Sequence, residues 1–121
     1  MSDAYPIQIS FRNVEPSESI EANIREHAEK LGRFHRRIVR CRVVAEAQHR
    51  HHQKGKLWHF RIEVDVPGGE VVINHESHDK HEHEDFYVAA RDAFKAAERK
   101  LEERARRQRE RPSRIEDMDE A

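Results

Sequence analysis

Residues 58–66 read WHFRIEVDV, and no other segment alternates so cleanly. Trp58, Phe60, Ile62, Val64 and Val66 fall on one side and His59, Arg61, Glu63 and Asp65 on the other, the period of a strand with one buried and one wet face. Pro67-Gly68-Gly69 follows as a turn in which glycine can take the positive φ that tight connections need, and Val71 and Ile73 begin the next strand. Upstream, beyond a polar, His-rich loop from Gln48 to Gly55, Val39, Cys41, Val43 and Ala45 alternate with Arg40, Arg42 and Glu46. Short links make these three strands antiparallel neighbours. Nearer the start, Ile7, Ile9 and Phe11 alternate with Gln8, Ser10 and Arg12, and Asn13 to Pro16 breaks that strand. Ser17 then caps a helix with apolar positions Ile20, Ile24, Ala28, Leu31 and Phe34, its last turn weakened by Gly32. Because the first strand reaches the second through a helix, a right-handed parallel crossover is expected between them.

The last element is a long helix. His75 to His83 forms a second polar loop, and Glu84 and Asp85 place acid at the positive end of a helix on which Tyr87, Ala90, Phe94, Ala97 and Leu101 line the apolar face. The stripe stops at Leu101, so Glu102 to Arg111 is expected to project as a solvated extension, ended by Pro112 and Ser113. The order is therefore β-α-β-β-β-α. Four half-buried strands need one apolar face covered, and two amphipathic helices suffice: an α+β two-layer sandwich, a four-stranded sheet with two helices on one face. Its 121 residues fill one domain, 1–111, and leave 112–121 as an acidic tail expected to be disordered.

Hydrophobic residues are 36% of the chain and charged residues 39%, against about 45–50% and about 25% in ordinary soluble domains. The surplus charge must sit on polar faces and tails. No stretch approaches the roughly 20 apolar residues that span a bilayer, and the first residues lack the pattern of a secretory leader. The expectation is a soluble, cytoplasmic protein with no membrane partner. The single cysteine, Cys41, lies in an alternating run and reads as a small buried residue, which excludes a disulfide framework. A formal net charge of −1 conceals segregation. Bases dominate from Arg25 to Arg42 and from Arg99 to Arg114, while acid collects from Asp79 to Asp85 and from Glu116 to Glu120. A partner responds to the local field within a screening length of about 10 Å, not to the sum.

Eight of the 10 histidines cluster, as His49, His51, His52 with His59, and as His75, His78, His81 and His83. Imidazole binds zinc, but the fixed Cys and His spacings of structural metal sites are missing, so these residues read as hydrogen-bonding loop positions and no metal or other cofactor is expected. There is no Gly-x-Ser-x-Gly, no phosphate-cradling glycine loop and no catalytic thiol context, so neither an enzyme nor a small-molecule substrate is expected. The bases are better candidates. Arg91, Lys95 and Arg99 recur every four residues along the second helix, and Arg106 continues the row. Arg33, Arg36 and Arg37 are expected on the outer side of the first helix and at its C-terminal end. Guanidinium forks in two such arrays suit phosphates. With Trp58 and Phe60 alternating inward, base-stacking aromatics are not expected, and the pattern points to phosphate and shape contacts on folded RNA.

Three features together carry a family resemblance: the element order, Val66-Pro67-Gly68-Gly69-Glu70, and Asp85-Phe86-Tyr87-Val88-Ala89-Ala90-Arg91-Asp92-Ala93-Phe94. From Ile7 to Arg107 the chain resembles the ribosome hibernation promoting factors, also called ribosome-associated inhibitor A or sigma-54 modulation proteins. The resemblance implies a fold similar to double-stranded RNA-binding domains. It also implies binding to ribosomal RNA of the small subunit, in the channel between head and body where messenger and transfer RNA pass, and a block to translation under stress. It carries Arg33, Arg36, Arg37, Arg91, Lys95 and Arg99 over as ribosomal RNA contacts, with Lys54 and Lys56, in and just after the Gln48 to Gly55 loop, added. His49-Arg50-His51-His52 resembles a subgroup whose members can continue into a cold-shock domain. The family's long-form dimerisation domain is not in this sequence, so a monomer or weak dimer is expected. The sigma-54 name supplies the alternative, a protein-binding regulator of transcription, and a metal-sensing His module stands third.

Overall fold

The computed structural model describes residues 5–49, 56–76 and 85–110. Strand β1 (Ile7–Arg12) leads to helix α1 (Glu18–Lys30) and a 3-10 turn (Leu31–Arg33); β2 (Arg40–His49), β3 (Lys56–Val66) and β4 (Gly69–Glu76) follow, then helix α2 (Phe86–Glu110). This is the expected β-α-β-β-β-α order. The sheet runs β1-β2-β3-β4, with β1 parallel to β2 and the other pairs antiparallel. Register follows the hydrophobic pattern, because a one-residue slip would turn every apolar side chain into water. Ile9 thus faces Val43, Val43 faces Ile62, and Ile62 faces Ile73 across the four strands.

Both helices cover this apolar face. Ile24, Ala28 and Leu31 from the α1 side join Ala89, Ala90, Ala93, Phe94, Ala97 and Leu101 of α2 over Cys41, Val43, Phe60, Ile62 and Val64 in one buried cluster. The small alanines let α2 approach the sheet closely, while Phe60 and Phe94 fill the centre. Ser17 caps α1 as expected, its hydroxyl accepting the Ile20 N–H at 3.2 Å, an interaction that stabilises by about 1 kcal/mol. At the other end the helix gives way at Leu31 to the 3-10 turn, which contains Gly32. The carbonyls left over there accept from the Tyr5 hydroxyl, at 2.5 Å from Ala28 O and 3.2 Å from Glu29 O. Burial pushes that phenol up to about 12. Between β3 and β4, Gly68 sits at φ +86°, the sign a type II turn demands at its third position.

Three sequence expectations shift. Val39 is 53% exposed, because β2 starts one residue later and only the Val39 N–H is engaged, donating to Asp65 O at 2.7 Å. Tyr87 is 43% exposed, and Phe86 takes the core position instead. The Phe86 ring packs edge-on against Trp58 (4.9 Å) and at a tilt against Phe60 (5.6 Å). Adjacent helical residues point about 100° apart, so only one of the two rings can face the sheet, and the one without a hydroxyl does so. The stretch beyond Leu101 is only partly solvated: Arg104 and Ala105 are half-buried. Residues 111–121, with the acidic tail, lie outside the described residues.

Two histidines lie against α2. His27 stacks on Phe94 at 5.2 Å, and its pKa is pushed below the usual 6.5 by burial and then by Lys30, with Glu26 and Glu98 pulling the other way. His35 is lowered by burial and then by Arg104. In both cases the unfolded chain takes up the proton more readily than the folded one. Their contribution to stability is therefore complete above about pH 6.5 and is lost as pH falls from there through the lowered folded-state values. Urea midpoints should decline between about pH 7.5 and pH 5, and His27→Gln should flatten the decline; a midpoint that rises on acidification would contradict the burial of both rings.

Candidate nucleic-acid interface

Arginine is plentiful on both layers, and the structure separates the bases that are neutralised from those that are free. The open face of the sheet is an ion-pair lattice. Arg40 meets Asp65 at 2.8 Å, Arg42 meets Glu63 at 2.8 Å, and Arg61 meets Glu63 at 2.6 Å. Arg42 also approaches Asp65 and Glu70, and His59 lies 3.8 Å from Glu46. Exposed pairs of this kind contribute little stability, but they offset the charge of Arg40, Arg42 and Arg61 where they form. The outer side of α1 behaves likewise. Arg25 is paired with Glu21 and Lys30 with Glu26, and Glu18 and Glu29 add further acid.

Further exposed bases lie on α2 and just past α1. Arg91, Lys95 and Arg99 are all exposed, and Lys95, Arg99 and Arg106 form no ion pair among the described residues. Arg91 lies 3.4 Å from Asp92, both largely in water. At 1.5 Å rise and 100° per residue the row from Arg91 to Arg99 is about 12 Å long and occupies about an 80° arc, which also takes in Arg106 and the acid Glu102. It points away from the sheet, because the alanines and Phe94 hold the opposite side of the helix in the core.

Arg33, Arg36 and Arg37 are exposed too, but not on the outer side of α1. Arg33 ends the 3-10 turn, and Arg36 and Arg37 belong to the loop that descends to β2. The reason is that α1 ends at Lys30 and a 3-10 turn takes the chain off its axis, so these bases lie beside Ala105 and Gln108 of α2. They line a groove of about 650 Å³ with Phe34, His35, Ala105 and Gln108. Within it the Arg37 N–H donates to His35 Nδ1 at 3.3 Å, and His35 Nε2 is buried without a partner among the described residues. The two arrays lie apart along α2: the groove flanks its C-terminal part at Ala105 and Gln108, and Arg91 stands about 20 Å further up the helix.

The remaining candidates separate. Lys56 opens β3 opposite His49, at the end of the sheet where Trp58 packs on Phe86; nothing further is described of its side chain. Lys54 and His51, His52, His78, His81 and His83 lie outside the described residues. Among the described residues no group of three or more His, Cys, Asp or Glu is placed to hold a metal ion. Cys41 is buried, and burial pushes its thiol up to about 12, so it is no nucleophile near neutrality. Two bases of the basic segments turn out to be structural. Lys100 donates to Val72 O at 3.1 Å, and the Arg104 guanidinium covers Gly69 so closely that a Cβ there would lie 2.8 Å from it. Sequence reasoning missed both, and their positions on the α2 flank facing β4 were the available signal. No helix among the described residues is long and apolar enough to cross a membrane.

Comparison with known proteins agrees with this fold. The crystal structure of the N-terminal domain of Protein Y from Thermus thermophilus is similar at a TM-score of 0.61 and 21% identity, covering 83% of this chain and 98% of that one. A ribosomal subunit interface protein from Coxiella burnetii gives a TM-score of 0.60 at 16% identity, covering 80% and 93%. At such identities the likeness is one of fold. No curated protein sequence matches the chain. The model of the family described as sigma 54 modulation protein / S30EA ribosomal protein matches residues 7–109, nearly the whole described domain, and this chain belongs to that family.

Proposed function

We propose that this protein binds ribosomal RNA of the small ribosomal subunit in the channel used by messenger and transfer RNA and holds translation off under stress. The observation that carries the reading is the Arg91, Lys95 and Arg99 row: exposed and directed away from the core, with Lys95 and Arg99 in no ion pair among the described residues and Arg91 paired with its neighbour Asp92. Family membership supplies the ribosome as partner. The mechanism is steric and electrostatic. A rigid two-layer domain sets guanidinium and ammonium groups against phosphates and fills space that messenger and transfer RNA need, and no bond is made or broken. Arg33, Arg36, Arg37 and Arg106 extend the contact toward the other end of α2, with Lys54 and Lys56 as further contacts. The domain acts as a monomer or weak dimer in the cytoplasm.

The test is co-sedimentation with purified small subunits over a salt series. Each phosphate contact releases counterions and steepens the dependence of log K on log salt by about 0.7 to 0.9, so the three-residue row alone should account for a slope of about 2 to 3. Inhibition of a cell-free translation reaction should follow the same salt profile. Absence of the protein from the small-subunit fraction, with recovery on RNA polymerase, would transfer the charged surface to the transcription-regulator reading.

A further inference from the structure

We propose that Tyr87 is a stacking platform for one unpaired nucleobase of the bound RNA, placed one helical turn before the phosphate-binding row. This rests on the ribosomal RNA reading above and deepens it by naming what the first turn of α2 recognises. Tyr87, Arg91, Lys95 and Arg99 follow at intervals of four, so the aromatic ring begins the cationic row about 6 Å from its first member. The residue is 43% exposed, and its hydroxyl makes no hydrogen bond among the described residues.

Its mounting is rigid. The Tyr87 ring meets Phe86 edge-on at 5.5 Å and 87°, and Phe86 is itself locked on Trp58 and Phe60. Its backbone N–H donates to Asp85 Oδ1 at 2.8 Å, and the Ala89 N–H donates to Asp85 O at 3.0 Å, so the turn that carries it is capped. A fixed π-face beside a line of cations is the pairing by which proteins hold unstacked bases while tracking their phosphates, and RNA is read chiefly at loops and bulges whose bases are splayed out.

An apolar protein contact fits less well. The other large exposed apolar residue among those described, Val39, is joined to Asp65 near the far end of β3, whereas Tyr87 lies by Trp58 near its start. The two cannot form the contiguous patch that a protein interface centre requires.

Small-subunit binding by Tyr87→Phe, Tyr87→Trp, Tyr87→Leu and Tyr87→Ala, each measured over the salt series with circular dichroism as a check on folding, tests this. Aromatic replacements should bind within about twofold of the parent. Leucine and alanine should weaken binding by about 5- to 150-fold, the range for loss of one stacked base, with the salt slope unchanged because no phosphate contact is lost. Parental affinity in Tyr87→Leu would overturn the platform while leaving the ribosomal reading intact. Equal loss in Tyr87→Phe would assign the effect to the hydroxyl and also overturn stacking. Failure of the parent protein to bind small subunits would remove both readings, and Tyr87-dependent binding to polymerase would give the ring a protein partner instead.

Discussion

Replacing Arg91, Lys95 and Arg99 together by glutamate should abolish association with the small subunit while leaving circular dichroism and the unfolding midpoint nearly unchanged. The two halves of this expectation have separate grounds. All three side chains are in water, and none contributes to the buried cluster, so folding loses little. Hydrogen bonds to charged groups contribute about 1.5 to 3 kcal/mol each, and their replacement by repulsion against phosphate brings the combined loss beyond roughly a thousandfold. Arg25→Glu is the control: it reverses a cation too, but one already paired with Glu21 on the acidic side of α1, and should change affinity little. Parental binding by the triple variant, or equal loss in the control, would detach the row from the interface.

Trp58→Ala should cost about 3 to 5 kcal/mol, the usual price of removing a large buried aromatic, against a total of about 5 to 15 kcal/mol for a domain of this kind. Trp58 is 6% exposed near the start of β3, its ring 4.9 Å from Phe86. Removing it also takes away the surface against which Phe86 seats the first turn of α2, so the damage reaches the helix that carries the basic row. Urea denaturation measures it directly, and the melting temperature should fall by at least about 12 °C. A variant within 1 kcal/mol of the parent would mean that Trp58 does not face the core.

Pattern sufficed wherever one side of an element is uniformly apolar. The alternation from Trp58 to Val66, the Pro-Gly-Gly turn and the stripe ending at Leu101 all reappear in the fold, because the sign of burial is repeated over many residues and local noise averages out. The same logic placed Arg91, Lys95 and Arg99 outside. It failed at single positions near element ends: Val39, just before β2, and Tyr87, where two neighbouring rings compete and the choice depends on Trp58 and Phe60 far away in sequence.

Charge was the least legible quantity. Arg40, Arg42 and Arg61 look in sequence like the bases of α2, yet cross-strand register puts Asp65, Glu63 and Asn74 beside them. Lys100 and Arg104 sit within the basic segment but serve β4. Arg33, Arg36 and Arg37 were visible as a cluster, while the groove they share with Ala105 and Gln108 was not. Periodicity reports how a residue faces its own element. Whether a positive side chain remains available to a partner depends on what lies across from it, and that neighbour arrives only when distant parts of the chain are brought together.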